Sequence, residues 1–591
     1  MIPGLVLFAR TPRPARHVEG DFDAFLRTAY QDRAVCEARA GLGDWLACGI
    51  LARNDDAFVH RHDDPRLTVL LSGYLSDVVG AELPGPPQAP AGAVARMYQD
   101  AGVAAFGRLR GSFCGVILDR QEDTAVVFND RVGSRPIFLA GDLNLGLVLA
   151  PECKPLSRLR EAWLELDPVA VGEYLVRGCC YGSATLFKAV RKVDQATVVR
   201  LRPEEIESQR YWRPRFGGDR DIGQDALTDE LDGLLSQSTR RLLSVLPDPA
   251  LLLSGGVDSR LMLAYLLRHD RRLPSFSYHV NPSTGEDHVI AARLAQLAGI
   301  AHQPFAIEID DFAANAAAET LACDGRVQIC DAPSSRWQHI GERYRSMFIG
   351  DECFGWKGEP KSLDEALDIV GWWNIDVSPR VCDCLSADAL QSMRQGIGDT
   401  LRHMVDGAHS SHPTGVKDEL YYAQRVANLL NGFSARRLAV CEQARPLLDE
   451  DVIDFFARVP HALRLDKKLV RDLLARRFPE LAAVPYSRKT SVPWDESIFL
   501  KLVGERPQLK EFIVANLSSS LGDRLGALFD RPRLEALARS YLDGAKLPPF
   551  RDDWWSRIPG GWRLARERVD KVGTLRSLLR IMQLNIYLSS A

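Results

Sequence analysis

The chain has 591 residues, of which 46% are hydrophobic and 26% are charged, a composition typical of globular proteins. This length exceeds what one compact core supports, so we expect more than one domain. The formal net charge of −4 gives no electrostatic reason to expect a nucleic-acid partner. No apolar run approaches the roughly 20 residues that span a bilayer, so no membrane partner is expected. Twelve cysteines without a CxxC pair are typical of reduced thiols in a cytoplasmic enzyme.

The first third of the chain shows short apolar or alternating segments separated by turn residues. The apolar opening, Ile2 to Phe8, has neither the basic leader nor the cleavage site of a signal peptide, and we expect it to be the first strand. Further strand-like segments are Thr68 to Tyr74, Phe113 to Asp119 and Ala125 to Asp130. This pattern predicts a β-rich domain over residues 1–212.

A different rhythm begins after the segment Arg213 to Asp219, which we interpret as a linker. Apolar residues between Ala226 and Leu246 fall on one helical stripe. Strand and helix patterns then alternate through Ala298, which indicates a parallel sheet with crossover helices. The chain beyond about residue 360 is mostly helical in pattern. We therefore expect a second domain over residues 213–591, an α/β parallel-sheet domain with a helical extension.

The segment Leu251 to Arg260 reads LLLSGGVDSR and carries the clearest chemical signal. A buried strand ends at Ser254, two glycines make a turn, and a helix follows. Glycines allow the backbone to approach a ligand closely, and the N–H groups at a helix start attract anions. Ser254 and Ser259 add hydroxyl donors. Asp258 would place a carboxylate beside bound phosphates, which requires a divalent cation between them.

This loop is not a Walker loop, because no GxxxxGK[ST] pattern occurs in it. It resembles the SGGxDS pyrophosphate loop of the N-type ATP-pyrophosphatases. The resemblance implies ATP as cofactor and a loop that holds the pyrophosphate leaving group. The residues implied to bind ATP or pyrophosphate here are Leu252, Ser254, Gly255, Gly256, Asp258 and Ser259.

A second acidic segment follows the strand-like Met347 to Ile349. It reads GDECFGW over residues 350–356 and resembles the SDExFGG segment of asparagine synthetases. In that family the first aspartate is a magnesium ligand, which implies that Asp258 and Asp351 together hold Mg²⁺ on ATP.

The resemblance to class B asparagine synthetases extends over most of the chain. It implies an α+β glutaminase-like domain of the Ntn type, a β-sandwich, before the ATP-pyrophosphatase domain. It also implies that Lys489 stabilises charge in the transition state, and that Lys467 and Arg471 either contact phosphate or support their helix. The segments that carry the resemblance are FGRLRGSFCGVILD (106–119), NDRVGSRPIF (129–138), LAPECKPL (149–156), CEQARPLLD (441–449), KKLVR (467–471) and SRK (487–489).

Two departures from the family pattern direct the functional prediction. The family's glutaminase uses an N-terminal cysteine, whereas this sequence opens Met1-Ile2 and its first cysteine is Cys36. We therefore expect the glutaminase-like domain to be inactive. Phe348 stands where β-lactam synthetases have a catalytic tyrosine and asparagine synthetases a glutamate. Glu442 remains either a candidate catalytic base or a structural residue.

These departures favour a likeness to lasso-peptide macrolactam synthetases, which adenylate an Asp or Glu side chain of a core peptide and close a ring with its N-terminal amine. Phe348, Trp337 and the Trp372-Trp373 pair would suit a roomy peptide pocket. The likeness implies a leader-free core peptide as substrate and admits a leader peptidase as partner. The alternatives are an asparagine synthetase or a β-lactam-synthetase-like ligase acting on a small amino acid, and an inactive nucleotide-binding scaffold.

Overall fold

The computed structural model describes residues 1–11, 18–30, 35–53, 57–80, 89–217, 222–328, 334–352, 354, 358–488, 494–544 and 570–590. The strands of the N-terminal region within these ranges are β1 (Gly4–Ala9), β2 (Val35–Leu42), β3 (Leu46–Ala52), β4 (Val59–Asp63), β5 (Leu67–Val78), β6 (Leu109–Asp119), β7 (Thr124–Asn129), β8 (Phe138–Ala140), β9 (Leu147–Ala150), β10 (Val190–Lys192), β11 (Thr197–Arg202) and β12 (Glu205–Arg210). The helices of the same region are α1 (Val18–Tyr30), α2 (Ala89–Ala101), α3 (Cys153–Ser157) and α4 (Pro168–Arg177).

These strands form two antiparallel sheets, in the orders β10-β8-β9-β1-β3-β2 and β12-β11-β7-β6-β5-β4. Alternate side chains of both sheets meet in one buried core, for example Leu5 and Leu7 of β1 with Val116 and Leu118 of β6. Helix α1 packs on the outer face of the first sheet and α2 on the outer face of the second. The prediction of a β-rich N-terminal domain is confirmed, and its form is a sandwich with helices outside.

The C-terminal region contains a five-stranded sheet made of β13 (Pro249–Leu252), β14 (Ser275–Asn281), β15 (His302–Glu308), β16 (Ser346–Phe348) and β17 (Glu442–Ala444). All neighbouring strands in this sheet are parallel, as the alternating pattern predicted. Both faces are covered, because Ala250 packs with Phe276 and Trp337 on one face while Leu251 joins the large core on the other.

Helices surround this sheet and make up most of the described chain beyond residue 360. Helix α5 carries the predicted apolar stripe, with Leu227, Leu231 and Leu235 buried. A π-helix spans Tyr421–Leu430. None of the described helices is long and apolar enough to cross a membrane. The α-helices are α5 (Gln224–Val245), α6 (Val257–Arg268), α7 (Asp287–Ala298), α8 (Phe312–Ala322), α9 (Ser334–Gly341), α10 (Leu363–Val370), α11 (Pro379–Cys382), α12 (Ala387–Asp406), α13 (Pro413–Leu420), α14 (Asn431–Leu438), α15 (Glu450–Arg458), α16 (His461–Arg464), α17 (Lys468–Arg477), α18 (Pro479–Ala482), α19 (Glu496–Gly504), α20 (Pro507–Asn516), α21 (Asp523–Gly526), α22 (Arg531–Leu542) and α23 (Thr574–Ser589).

The strand order β15-β14-β13-β16-β17 places a reversal of direction at β13. The chain proceeds from β13 outward to β14 and β15, then returns to the other side of β13 to form β16 and β17. The connections that follow β13 and β16 therefore leave toward opposite faces of the sheet. This divergence opens a crevice beyond the carboxyl ends of the two strands. Open α/β sheets bind their ligands at such a switch point.

Buried polar contacts join the sandwich to the parallel-sheet region. Arg135 and Glu442 form an ion pair whose two side chains are 1% and 0% exposed. The Tyr74 hydroxyl donates to the Gln443 carbonyl at 2.9 Å. Further ion pairs across the same interface are Arg110–Asp451 at 3.1 Å and Arg131–Asp454 at 2.9 Å. The two regions therefore pack against each other through one fully buried ion pair and through further pairs whose arginines are buried and whose aspartates are partly exposed.

We expect Glu442→Ala to lower the free energy of unfolding by about 3–5 kcal/mol, because it leaves the buried Arg135 guanidinium without its counter-charge. Urea unfolding followed by tryptophan fluorescence measures the change. The matched control is Glu205→Ala, which removes the exposed partner of Arg202 and should change stability by under about 1 kcal/mol. Equal effects of the two substitutions would contradict the role assigned to the buried pair.

Candidate functional site

Hydrogen bonds of two serines, Ser254 and Ser259, hold the loop that joins β13 to α6 in its conformation. The Ser259 hydroxyl oxygen accepts from the backbone N–H of Ser254 at 3.0 Å and lies 2.9 Å from the Ser254 hydroxyl oxygen. The backbone N–H of Gly256 donates to the Ser254 hydroxyl at 3.2 Å. Gly256 caps α6 and offers no side-chain acceptor to the first turn. The loop is thus a preformed helix start of the kind that receives an anion.

Two glycines allow neighbouring segments to touch this loop. A Cβ on Gly255 would lie 2.9 Å from the Ser487 Cβ and 3.0 Å from a carboxylate oxygen of Asp287. A Cβ on Gly350 would lie 2.7 Å from the backbone nitrogen of Ser259. Only glycine fits at these approaches, so the segment after β16 lies directly against the first turn of α6.

A cavity of about 370 Å³ lies beyond the carboxyl ends of β13, β14 and β16. Of the predicted site residues, the structure brings six to its wall: Leu252, Ser254, Gly256, Asp258, Ser259 and Asp351. Gly255 sits behind the wall, buried against Ser487. Residues that sequence reasoning missed are Ser277, Tyr278, Asp287 and Arg437. The sequence carried a signal for Ser277 and Tyr278, since β14 was predicted as the strand after β13.

The two predicted metal ligands contribute carboxylates to this cavity. One oxygen of Asp258 lies 2.5 Å from the Lys467 ammonium, and its other oxygen, Oδ1, is buried with no hydrogen-bond partner in the described part of the chain. Asp351 lies 3.4 Å from the Ser434 hydroxyl and 3.5 Å from the Arg437 guanidinium. Burial raises the pKa of Asp258, Lys467 lowers it and Glu352 raises it, and the net result is a pKa of about 6.

These oxygens fit magnesium bound together with a nucleotide. Mg²⁺ usually takes one or two carboxylates and completes its coordination with phosphates and water. No cluster of three or more metal-ligating side chains occurs among the described residues, so the protein alone offers no closed metal cage. The buried, unpartnered oxygen of Asp258 is the atom best suited to a cation.

Lys467 enters the site from a strained turn. Its ammonium lies 3.2 Å from Glu352, which also accepts the Tyr421 hydroxyl at 2.8 Å. Asp466 and Lys467 have φ angles of +48° and +58°, a left-handed conformation that costs about 1 kcal/mol or more for each such residue. Burial alone would lower the pKa of Lys467, but the carboxylates of Glu352 and Asp258 raise it above its ordinary value. Glu352 and Tyr421 were not among the predicted site residues.

A buried arginine ties the segment before Lys489 to the loop. Arg260, on α6, donates to the carbonyls of Val484 at 2.5 Å and Pro485 at 3.0 Å, and its guanidinium lies 4.0 Å from the Tyr486 ring centre. Arg471 lies 4.8 Å from the same ring centre and donates to the Asp466 carbonyl at 3.0 Å, so its described contacts support this segment and the turn before α17.

The segment that precedes Lys489 also contacts the loop directly, through a backbone hydrogen bond at Ser487. The backbone N–H of Ser487 donates to the Gly255 carbonyl at 3.3 Å. Lys489 lies outside the described residues, and its catalytic role stays a prediction.

Glu442 and the predicted aromatic pocket lie elsewhere. Glu442 is held in the buried ion pair with Arg135, which favours the structural alternative over the catalytic base. Phe348 is fully buried in the sheet, paired between Leu251 and Ala444. None of the described aromatic residues expected to form a peptide pocket, namely Phe348, Trp337, Trp372 and Trp373, lines the cavity. The expectation of a pocket built from Phe348, Trp337 and Trp372 is wrong, because core packing takes up their rings. Trp373 is half-buried, and its ring N–H donates to the Asp368 carboxylate at 2.7 Å.

Comparisons with known proteins agree with this arrangement. Residues 89–212 match the glutamine amidotransferase domain family, and residues 230–340 match the asparagine synthase family. Proteins of Mycobacterium bovis and Mycobacterium tuberculosis, provisionally named asparagine synthetase (glutamine-hydrolyzing), are 27% identical over 224 residues. The match covers 37% of this chain and 34% of each relative, so the chain spans about a third of the length of the curated relatives it matches.

Solved structures show only a faint likeness. Glutamine phosphoribosylpyrophosphate amidotransferase from B. subtilis, complexed with ADP and GMP, gives a TM-score of 0.24 at 12% identity, over 50% of this chain and 65% of that one. A structure of the allosteric regulatory enzyme of purine biosynthesis gives 0.23 at 12% identity, over 46% and 64%. Likeness at this level carries no argument about function.

The two matched domains follow one another in the chain, the glutamine amidotransferase domain before the asparagine synthase domain. The predicted boundary between residues 212 and 213 stays a prediction.

We expect Gly350→Ala to weaken Mg-ATP binding by about tenfold or more, because the added methyl group meets the backbone of Ser259 and moves Asp351 away from Asp258. Calorimetric titration with Mg-ATP measures the affinity, and circular dichroism checks the fold. The control is Gly233→Ala within α5, where an added Cβ meets nothing within 4 Å. Unchanged affinity in the Gly350 variant would show that the close approach is not needed.

Proposed function

We propose that this protein is an ATP-dependent amide-bond-forming ligase that adenylates an Asp or Glu side chain of a core peptide. The peptide's N-terminal amine then closes a macrolactam, with release of AMP and pyrophosphate, as in lasso-peptide cyclases. The observation that carries the ligase proposal is the lining of the cavity at the switch point. The anion-binding loop and the carboxylates of Asp258 and Asp351 all face it.

The proposed reaction has two steps. A carboxylate oxygen of the substrate attacks the α-phosphorus of ATP, and the bond to the pyrophosphate breaks. The loop donors around Ser254 and Ser259 hold the departing pyrophosphate. Mg²⁺, when bound through Asp258 and Asp351, would neutralise charge on the phosphates. The amine then attacks the acyl carbon, its proton is released and AMP leaves; Lys489 is proposed to stabilise the negative charge of the transition state.

The thiols of the N-terminal domain support an amine source other than glutamine. Burial raises the pKa of Cys36, Cys114 and Cys179 to about 11 each. The pKa values of Cys48, Cys153 and Cys180 are raised by burial as well. These are all the cysteines of residues 1–212. A nucleophilic thiol needs a lowered pKa, so we propose that this domain does not hydrolyse glutamine and serves as a structural partner.

A second cavity supports a substrate larger than an amino acid. It measures about 270 Å³ and has Phe312, Trp494 and Phe499 in its wall. Phe312 opens α8 shortly after β15 ends, on the same carboxyl-end side of the sheet as the loop. Such a lining suits a bulky apolar side chain of a peptide better than free aspartate. We propose that a leader peptidase supplies the leader-free core peptide.

The runner-up is a ligase acting on a small amino acid with free ammonia, as an asparagine-synthetase-like or β-lactam-synthetase-like enzyme. Mass spectrometry of candidate core peptides with enzyme and Mg-ATP distinguishes the two, because ring closure removes one water. Amide formation from aspartate and ammonia, with no product from any peptide, would favour the runner-up. No pyrophosphate release with any carboxylate would support the inactive scaffold.

We expect Asp258→Asn to abolish pyrophosphate release, a loss of at least roughly 10², because the substitution keeps the shape of the side chain but removes the cation-binding charge.

Lys489→Ala should lower turnover by roughly 10², because it removes one preorganised charge. A pyrophosphate-release assay measures both. Lys468→Ala is the control, since Lys468 is exposed and bonds to Asp472 at 2.6 Å. Full activity in either site variant would refute its assigned role.

We expect no glutamate to form when the protein is incubated with glutamine and Mg-ATP, because every thiol of residues 1–212 has a raised pKa. A coupled enzymatic assay measures the glutamate formed, and a sample of denatured protein gives the background rate. Glutamate formation that disappears in a cysteine variant would overturn the assignment of an inactive glutaminase-like domain.

A further inference from the structure

We infer that the Lys467 ammonium occupies the cation position beside Asp258, and that it must leave Asp258 before a divalent cation binds there. Lys467 is in this view a positioning residue that couples divalent-cation binding to nucleotide binding. The inference rests on the proposed function, since it concerns the same nucleotide site.

The contacts of Asp258 are those of a carboxylate already holding a cation. Its Oδ2 atom lies 2.5 Å from the Lys467 ammonium, and the two side chains are 22% and 18% exposed. Its Oδ1 atom is buried and has no hydrogen-bond partner among the described residues. A carboxylate in this setting needs a positive charge close by. Lys467 supplies that charge until another cation replaces it.

Glu352 provides a second position for the ammonium. Its Oε1 atom lies 3.2 Å from the Lys467 nitrogen and accepts the Tyr421 hydroxyl at 2.8 Å. Its Oε2 atom accepts the backbone N–H of Phe354. Because these two donors hold Glu352 in place, the ammonium can give up Asp258 and keep Glu352. The displacement is then a side-chain movement of a few ångströms.

The backbone conformation at Lys467 is consistent with a side chain that moves between Asp258 and another partner. Asp466 and Lys467 both adopt left-handed φ angles directly before α17 begins at Lys468, and this turn holds the Lys467 ammonium against Asp258. Leu469 and Val470 are fully buried and fix the start of that helix. Strain at a residue whose side chain enters a site is a recurrent mark of function. The rigid backbone leaves the flexible lysine side chain as the part that moves.

Nucleotide binding supplies the ammonium with a new partner. The phosphates bring negative charge beside the loop, so the lysine exchanges one anionic oxygen of Asp258 for phosphate oxygens. The divalent cation then gains access to Asp258 without an uncompensated charge. Cation and nucleotide each favour the binding of the other, which is a positive coupling free energy between the two.

The experiment measures divalent-cation binding without nucleotide. Electron paramagnetic resonance of MnCl₂ alone, titrated against the full-length protein, reports bound Mn²⁺ directly. We expect Lys467→Met to bind Mn²⁺ about tenfold more tightly than the wild type, because the competing ammonium is gone. MgCl₂ alone should also raise the thermal unfolding temperature of Lys467→Met more than that of the wild type, relative to NaCl of equal ionic strength.

Three further variants make the result decisive. Lys468→Met removes a neighbouring exposed lysine and should bind Mn²⁺ as the wild type does. Asp258→Asn combined with Lys467→Met should lose the gain, since the vacated carboxylate is absent. Lys467→Gln keeps a donor toward Glu352 without the charge and should show the same gain if the methionine variant does not fold. Mn²⁺ affinity in both Lys467 variants equal to the wild type would overturn the inference.

The two proposals fail in different ways. If the wild type neither binds Mg-ATP nor releases pyrophosphate, the ligase proposal is wrong, whereas the Mn²⁺ titrations still decide the role of Lys467. If the wild type is an active ligase and removal of the ammonium leaves Mn²⁺ affinity unchanged, only the inference about Lys467 is wrong.

Discussion

The contact between Gly350 and the first turn of α6 is the constraint on which the site depends. The absence of a side chain at Gly350 lets the segment after β16 touch the backbone at Ser259. Asp351 consequently faces the same cavity as Asp258, although 93 positions separate them in the chain. The parallel sheet makes this contact possible, because β13 and β16 are neighbours and both end at the same edge.

Charge in this crevice is balanced by residues from distant segments. Lys467 compensates Asp258 and Glu352, and Arg437 lies beside Asp351. Arg260 and the Tyr486 ring hold the segment that leads toward Lys489 against the loop. The site is thus assembled by packing around α6, and Asp258 and Asp351 each have a positive charge near them. Such an arrangement exposes anionic oxygens to a ligand without destabilising the fold.

The sandwich contributes through its interface with the parallel-sheet region. Arg135 neutralises Glu442 at the start of β17, the strand next to β16. The buried ion pair accounts for the presence of a glutamate in a strand that is otherwise enclosed. It also explains why Glu442 has the setting of a structural residue, since its carboxylate is engaged away from the cavity. The N-terminal domain thereby stabilises the strand next to β16, after which Gly350 and Asp351 line the cavity.

The sequence by itself determined the two-part architecture, the alternation of strands and helices, and the loop from Ser254 to Ser259, because these are local patterns of periodicity and turn chemistry. Family likeness added Asp351 and Lys467, which the structure places at the cavity and beside Asp258. Only the tertiary structure decided that Glu352 and Tyr421 join them, that Glu442 pairs with Arg135, and that Trp337 and Trp372 belong to the core. These outcomes depend on which distant segments meet after packing, and no local pattern of residues records that.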